Sequence, residues 1–166
     1  MNKKNQKGFS LIELIVVIAI MAILVAIITP NLVKYVGKSK KETDKKNAYE
    51  IANQLQTCIT DYESENSSDG LIGTDKCLIA DEDLGAEIIV EWDDSKSGYS
   101  SIRNSSSDGS ASESDLDDFD KIINQVVTAK TESKEKSGNF AKAKITKEAT
   151  NNYTVVVELG DAVATK

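Results

Sequence analysis

Three groups of residues have side chains and spacings that could support chemistry. The first is an acid, Glu13, set inside a long apolar run. The second is a pair of cysteines, Cys58 and Cys77, nineteen residues apart. The third is a set of four aspartates within residues 115–120. The chemistry these groups suggest is, in turn, charge pairing in an apolar environment, a disulfide bond, and the binding of a cation.

The composition excludes most catalytic chemistry. The chain has 166 residues, enough for one ordinary domain, and no histidine. Histidine general bases, Ser-His-Asp and Cys-His pairs and histidine-ligated zinc are therefore excluded, and two cysteines cannot build a four-ligand zinc site. Beyond the three lysines of residues 1–8, 17 basic and 27 acidic side chains give a formal charge of −10, which disfavours nucleic-acid binding. We expect no enzyme, no cofactor, no metal and no nucleic acid.

Glu13 stands out because every residue from Leu14 to Ile28 is apolar. A carboxylate within a membrane helix costs roughly 2.5 to 3.5 kcal/mol at the centre and less near the end, so it is usually paired or functional. The apolar run contains no cation, and the nearest basic residue in the uncut chain is Lys7. A cut between Gly8 and Phe9 would create an α-ammonium four residues, or about 6 Å of helix, from Glu13.

The run itself predicts a membrane helix. Residues 9–29 would form about 30 Å of helix, which matches the hydrocarbon core of a bilayer. The basic residues that precede it predict a cytoplasmic N-terminus and an extracytoplasmic body. A permanent single-span anchor and a secretory signal peptide are the alternatives, although a signal peptide has a shorter, acid-free apolar region followed by a small-residue cut site. If the cut precedes the helix, copies packed side by side must replace the lipid, and a helical polymer follows.

The rest of the chain reads as an amphipathic helix followed by a small mixed domain. Apolar residues recur at three- and four-residue steps from Ala48 to Tyr62, which predicts one helical stripe. A short second helix is expected around 119–127, with Ser114 as its N-cap. Strands are predicted, in two hairpins, at Glu87–Trp92, Gly98–Arg103, Phe140–Ile145 and Tyr153–Leu159. We therefore divide the chain into residues 1–8, 9–36, 37–62 and 63–166.

The N-terminal residues resemble the class III leader and helix of type IV pilins. The shared features are a short basic leader ending in Gly8, Phe9 as the first mature residue, Glu13 as the fifth, a long aliphatic run, and Pro30 twenty-one positions after Phe9. The resemblance implies cleavage after Gly8 by prepilin peptidase, N-methylation of Phe9 and guidance of assembly by Glu13. It also implies a helix bend at Pro30.

The resemblance further implies a fold and a set of partners. The fold is the α+β type IV pilin fold, a long helix whose second half packs on a four-stranded antiparallel sheet. The partners are further copies in a helical filament, prepilin peptidase, an inner-membrane platform protein, assembly and retraction ATPases, and minor pilins. The short leader is similar to the type IVa class, and the absence of a cysteine after Cys77 is more like pilins of Gram-positive bacteria.

The implied function is that of a major pilin. It would be a single-pass membrane protein before assembly and then part of an extracellular fibre used for adhesion, aggregation, biofilm formation and twitching motility. The alternatives are a minor pilin, a pseudopilin of a type II secretion or DNA-uptake machine, and a monomeric membrane-anchored domain.

Each of three further sequence features has two interpretations. Cys58 and Cys77 are either a disulfide that fixes the crossover from helix to sheet or two buried thiols. The aspartates of residues 115–120 are either a calcium site or the acidic first turn of a helix, which their spacing favours. The lysines of residues 38–46 are either a lipid head-group site or a solvated face that contacts another subunit.

Overall fold

The computed structural model describes residues 9–65, 72–73, 79–80, 87–104, 113–128, 130–149 and 152–166. The chain divides into two compact units, residues 1–39 and residues 40–166, which we call the apolar unit and the packed unit. The first helix, α1, spans Leu11–Glu65 and contributes residues to both.

In the apolar unit, α1 is apolar on every side. Because the run is uninterrupted, its side chains cover the whole circumference of the helix instead of one stripe, as in a membrane span. From Phe9 to Ser39 every described residue except Gly37 is exposed, and none of the most apolar window is buried. This is the one helix among the described residues long and apolar enough to cross a membrane, a test that an N-terminal signal sequence also passes.

The packed unit is built on a five-stranded antiparallel sheet. A separate pair of two-residue parallel strands, β1 (Ile72–Gly73) and β2 (Ile79–Ala80), precedes it. The sheet strands are β3 (Glu87–Asp93), β4 (Gly98–Asn104), β5 (Lys142–Ala149), β6 (Asn152–Leu159) and β7 (Ala162–Thr165), in the order β4-β3-β5-β6-β7. The second helix, α2, spans Glu113–Val126 between β4 and β5.

One hydrophobic core joins the second half of α1, one face of the sheet and α2. The predicted stripe of α1 is buried as expected, because steps of three and four residues keep one helical face turned to the core. The buried apolar residues of α1 and α2 are Ala48, Ile51, Ala52, Leu55, Cys58, Ile59, Tyr62, Phe119 and Ile123. Those of the sheet include Ile88, Val90, Ala143, Ile145, Val155, Val157 and Leu159. The α+β prediction, with a long N-terminal helix, is thus confirmed.

The sheet has five strands where the resemblance implies four. The additional strand is β7, which pairs with β6 across the turn at Gly160 and Asp161, where Gly160 has φ of 64°. Val155 and Lys166 extend that ladder by exchanging two backbone hydrogen bonds, in which the N–H of each donates to the carbonyl of the other at 2.8 Å. Gly-Asp between two apolar runs is a hairpin signal, and it would have located this strand.

Three predicted boundaries are wrong. The strand expected at Phe140–Ile145 begins at Lys142 and continues to Ala149, since polar residues alternate outward on an exposed face without interrupting the ladder. Helix α2 begins at Glu113, so Ser114 lies inside it and is not its N-cap. Helix α1 runs on to Glu65, beyond the end predicted near Tyr62.

Candidate assembly site

The first turn of α1 holds Glu13 against the backbone. Helix α1 begins at Leu11, and its first backbone bond runs from the Leu14 N–H to the Ser10 carbonyl. Ser10 therefore occupies the N-cap and Glu13 the third helical position, N3. The Ser10 N–H donates to Glu13 Oε2 at 3.0 Å, which is the N3-to-N-cap half of a capping box. An acid here also interacts favourably with the positive end of the helix dipole.

The carboxylate of Glu13 is nevertheless surrounded by apolar surface. Together with Phe9, Ile12, Val16 and Val17 it lines a shallow depression of about 340 Å³ on the helix side. Phe9 is 90% exposed. Within residues 9–39 the basic side chain nearest in sequence is Lys34, 21 residues or about 31 Å farther along the helix. In this part of the chain Glu13 has one backbone donor and no counter-ion.

Gly8, the other residue of the predicted cut, lies outside the described residues. The structure therefore describes one side of the Gly8–Phe9 bond, and cleavage there and methylation of Phe9 stay predictions.

Helix α1 continues through Pro30. Proline has no N–H, so the carbonyl four residues earlier, that of Ala26, loses its usual helical donor. One residue before the proline, Thr29 Oγ1 donates to the Val25 carbonyl at 2.6 Å. A missing bond beside a carbonyl with an extra donor is the local weakness at which a helix bends. The bend itself stays a prediction.

The thiol of Cys58 is buried between α1 and α2. Its Sγ lies 4.0 Å from the Ile122 carbonyl oxygen, to which it points as a weak donor. Burial, and then the nearby negative charge of Asp61, raise the pKa of Cys58 to about 11, so the thiol is protonated at neutral pH. Cys77 lies outside the described residues, and the disulfide between the two stays a prediction.

Three of the four aspartates of residues 115–120 have contacts within the packed unit, and the side chain of Asp115 lies outside the described residues. Asp120 is buried and accepts hydrogen bonds from the backbone N–H of Ser101, at 2.7 Å, and from its hydroxyl. Asp118 pairs with Lys121 at 2.6 Å, and both are exposed. Among the residues that the structure describes, no group of three acids, cysteines or histidines could hold a metal ion.

Asp44, which the sequence places among the exposed charges after the apolar run, is buried. Its side chain accepts hydrogen bonds from the Ser133 hydroxyl at 2.6 Å, from the Lys134 N–H at 2.7 Å and from the Glu135 N–H at 3.0 Å. Desolvation by burial raises the pKa of Asp44, but these three bonds outweigh it and the net pKa lies below the ordinary value. Asp44 thus fastens the segment before β5 to α1.

The position of Asp44 could have been found from spacing. Asp44 lies four residues before Ala48, which begins the buried stripe, so extending the stripe by one turn places Asp44 on its face. The lysine-rich surroundings obscured that signal.

Comparison with known proteins finds a family motif and several relatives that match the N-terminal segment. Residues 3–29 match the prokaryotic N-terminal methylation motif. The chain is 37% identical over 59 residues to the type IV major fimbrial protein FimA of Dichelobacter nodosus, covering 36% of this chain and 38% of that one. It is 40% identical over 60 residues to the prepilin peptidase-dependent protein A of Clostridium perfringens, covering 36% and 43%. It is 36% identical over 62 residues to a ComG operon protein 3 homolog of Bacillus licheniformis, covering 37% and 60%.

These matches confirm the resemblance to type IV pilins, which the sequence carries over residues 1 to about 36. Their extent is limited, because the matched segment spans less than half the length of the fimbrial relative and of the prepilin peptidase-dependent relative. No solved structure matches the chain. The names of the relatives support a structural protein rather than an enzyme.

Proposed function

We propose that this chain is the structural subunit of a type IV pilus. Copies polymerise through α1 into a cell-surface fibre that serves adhesion, aggregation, biofilm formation and twitching motility. The observation that carries the proposal is a helix whose apolar residues are exposed on every side and whose acid, Glu13, sits at its N-terminal end. Such a surface needs lipid or other copies of itself around it.

In this proposal, cleavage by prepilin peptidase gives the Glu13 carboxylate a positively charged partner at the start of α1. Hydrolysis of the Gly8–Phe9 peptide bond leaves a carboxylate on Gly8 and an ammonium on Phe9. N-methylation of Phe9 gives a secondary amine, which is also protonated at neutral pH, so the nitrogen keeps its positive charge. The Glu13 carboxylate, which among the described residues accepts from the Ser10 N–H, then pairs with the ammonium of its own or of a neighbouring copy.

The proposed processing implies that the subunit lies first in the membrane and then in the fibre. The subunit first spans the membrane through residues 9–36, with its N-terminus in the cytoplasm and its packed unit outside. The platform protein and the assembly ATPase then extract it into the fibre, and minor pilins join the same polymer. This order is supported by the membrane-length helix found among the described residues and by the relatives' fimbrial names.

Intact-mass measurement of the purified subunit tests the processing step. We expect the mass of residues 9–166 with one added methyl group. The variant Gly8→Ser should retain residues 1–8, because the bulkier side chain blocks the peptidase. An uncut, unmethylated wild-type protein would refute the proposed processing.

Two variants at Glu13 test the charge pair in assembly. Glu13→Ala removes both the charge and the cap, whereas Glu13→Gln keeps an acceptor for the Ser10 N–H and removes only the charge. We expect both to be processed and inserted normally and neither to yield fibres in sheared material. Normal piliation in the Gln variant would show that the cap, and not the charge, is what assembly needs.

A pseudopilin is the second candidate, because the chain also resembles the ComG operon protein 3 homolog over 62 residues. Pseudopilins share the leader and the acid but build a short periplasmic polymer. Material sheared from cells at native expression separates the two: a pilin appears there as long fibres containing this chain, and a pseudopilin does not.

A further inference from the structure

The two edges of the five-stranded sheet differ in what covers them. Strand β4 forms one edge and β7 forms the other. An edge strand presents backbone N–H and C=O groups that no neighbouring strand pairs, and proteins usually cover or blunt such an edge. Among the described residues, side chains of α2 cover the β4 edge, whereas the β7 edge is open.

Helix α2 covers the β4 edge with side chains that bond as a further strand would. The Tyr99 N–H donates to Asn124 Oδ1 at 2.7 Å, and Asn124 Nδ2 donates to the Tyr99 carbonyl at 2.8 Å. One turn earlier on α2, Asp120 Oδ1 accepts from the Ser101 N–H at 2.7 Å. These backbone groups of β4 are therefore satisfied within the packed unit.

On β7, the backbone groups that point away from the sheet belong to Val163 and Thr165. Val155 and Lys166 exchange two hydrogen bonds, and in an antiparallel ladder the pairs that exchange such bonds alternate with pairs that do not. The alternation assigns Ala164 to bonds with β6 and turns the N–H and C=O groups of Val163 and Thr165 outward. Among the described residues, no hydrogen bond reaches these outward groups.

The sequence of β7 does not blunt this edge. A proline, a charged side chain or a bulge commonly prevents a second strand from pairing at an edge. Residues 162–165 are Ala-Val-Ala-Thr, and they pair with β6 in a regular register. The Val163 side chain is 52% exposed and lies with Thr165 on the outer face of the sheet, the face away from the core. The strand thus offers unpaired backbone and β-branched side chains to a further strand.

We infer that β7 pairs in antiparallel orientation with β7 of a second copy of this chain, which belongs to a neighbouring fibre. The pairing is centred on Ala164, so Val163 of each copy lies opposite Thr165 of the other. Each such pair exchanges two hydrogen bonds, which satisfies the outward groups of both strands. The inference rests on the proposed pilus subunit and adds the surface through which two fibres associate side by side.

A second copy is the occupant because the edge is complementary to itself. A twofold axis at Ala164 brings every outward donor onto an outward acceptor without a shift of register. The same axis sets Val163 beside Thr165, and cross-strand pairs of β-branched residues stabilise a sheet.

The charges near β7 are compatible with this pairing. On the outer face of β6 the exposed acid is Glu158, and Glu158 of the second copy lies three strand spacings away, or about 14 Å, beyond the Debye length of about 8 Å. At each end of the paired strands, Lys166 of one copy lies opposite Ala162 of the other and next to Asp161. Asp161 pairs with Lys136 through one carboxylate oxygen in its own copy and has a second oxygen for this lysine.

The symmetry of the contact assigns the second copy to another fibre. Subunits of one fibre enter it in one orientation, so a rotation about the fibre axis and a shift along it relate them. An antiparallel pair of identical strands needs a twofold axis between the two copies instead. Because β7 has only four residues, one contact is weak and the isolated packed unit stays a monomer. A fibre repeats the edge along its length, and the contacts between two fibres add.

Val163→Pro tests the pairing in fibres of the full-length chain. The Val163 N–H points outward, so proline removes no bond to β6 while it blocks an added strand. We expect the wild-type yield of sheared fibres but an about tenfold smaller fraction that sediments as bundles at low speed, because the repeated contacts are lost together. Val163→Lys keeps the N–H and should have the same effect, which guards against a misfolded proline variant.

Ile102→Lys is the matched control. Ile102 is 51% exposed and also lies on the outer face, but on the strand whose edge α2 covers. Bundling should stay at the wild-type level. An equal loss in this variant would mean that any added charge on the outer face disperses fibres, and it would overturn the assignment of the contact to β7.

Mixed fibres locate the contact and show that it joins two fibres. Dispersed fibres of Val163→Cys and of Thr165→Cys are mixed, allowed to associate and oxidised. Residues that exchange two hydrogen bonds across an antiparallel pair have Cα atoms about 5.5 Å apart, within reach of a disulfide. We expect disulfide-linked subunit dimers well above the level that either preparation gives alone, which controls for Cys58 and Cys77. Bundles without this excess of dimers overturn the inference.

The remaining outcomes separate this inference from the proposed function. Wild-type fibres that do not bundle, or Val163→Pro fibres that bundle normally, overturn the β7 contact while the pilus subunit stands. Loss of fibres in both Val163 variants would place this edge inside the fibre and also overturn it. Bundles that form only after another protein is added would assign the edge to that protein. If the wild-type chain makes no fibres, the proposed function fails, and the β7 contact fails with it.

Discussion

The two halves of α1 contain similar apolar residues with opposite surroundings. Ile59, in the packed unit, is fully buried, whereas Ile23, in the apolar unit, is 62% exposed. The difference lies in spacing. A stripe with steps of three and four residues can be covered by one sheet, but an uninterrupted run offers apolar surface on all sides that one small domain cannot cover. The first pattern leads to a fold and the second to a membrane or a polymer.

The acids of the two halves differ in the same way. Among the described residues, Asp44 in the packed unit receives three hydrogen bonds, whereas Glu13 in the apolar unit receives one, from the Ser10 N–H. A buried carboxylate whose acceptor sites are filled serves the structure of its own chain. A carboxylate with one donor and no cation among residues 9–39 still has acceptor sites for a positive group from outside that part of the chain.

Removing the apolar unit should have the largest effect. Without residues 1–34 the chain keeps its core, whose members all lie between Ala48 and Ala164, and loses the membrane-length run. We expect a soluble, folded monomer, in contrast to a full chain that requires detergent or assembles. Light scattering after size-exclusion chromatography measures the mass. A filament formed by the truncated chain would contradict the division between the two units.

A matched pair of substitutions on α1 compares the two halves directly. Ile59→Ala should lower the free energy of unfolding of the packed unit by about 2 to 5 kcal/mol, because it opens a cavity in the core. Ile23→Ala makes the same chemical change at a side chain that is 62% exposed, and the free energy of unfolding should change by less than about 0.5 kcal/mol. Thermal unfolding of the full chain in detergent micelles measures both. Equal losses would mean that the two halves share one core.

The sequence predicts the contrast between the halves better than the details of the packed unit. The stripe from Ala48 to Tyr62 and the strands near Glu87, Gly98 and Tyr153 follow from residue periods, which are local properties. The burial of Asp44 and of Asp120 does not, because each depends on donors brought close by the tertiary fold.

At the candidate site the sequence provides the residues and the structure provides their local geometry. Phe9, Glu13 and Pro30 are recognisable from type and spacing alone. The capping bond from Ser10 to Glu13 could also have been inferred, since serine followed three residues later by glutamate is the capping-box pattern. The ammonium that we propose as the partner of Glu13 forms only when the Gly8–Phe9 bond is cut, and so the uncut sequence does not contain it.

Replacing Asp44 should destabilise the packed unit in a pH-dependent manner. In Asp44→Ala the Ser133 hydroxyl and the N–H groups of Lys134 and Glu135 lose their acceptor, at a cost of about 2 to 3 kcal/mol at neutral pH. Because folding lowers the pKa of Asp44, its contribution is present above the unfolded pKa, near 3.9, and disappears as the pH falls through the folded value.

The pH dependence is measured as a difference between wild type and variant. Denaturant unfolding at pH 7 and at several values below pH 4 gives that difference, from which other titrating groups largely cancel. We expect it to shrink as the pH falls, and Glu42→Ala, an exposed acid two residues away, to show no such trend. A difference independent of pH would mean that Asp44 acts by packing alone.

The smallest difference in stability is expected from a substitution at Gly160, in the turn before β7. This turn lies against Ser133, which donates to Asp44. Gly160 has φ of 64°, and a Cβ there would come within 2.6 Å of Ser133 Oγ, the hydroxyl that donates to Asp44. Gly138 also has a positive φ, of 85°, but a Cβ would meet nothing within 4 Å. Both alanine variants incur the backbone cost of about 1 kcal/mol, and Gly160→Ala adds a displacement of Ser133 that raises its total to about 2 kcal/mol. Unfolding of the two variants in parallel measures the excess. It should shrink in the Asp44→Ala background, where the Ser133 hydroxyl has no carboxylate to lose and keeps only its bonds from the Glu135 and Lys136 N–H groups. An excess of unchanged size there would show that the bond from Ser133 to Asp44 contributes nothing to it.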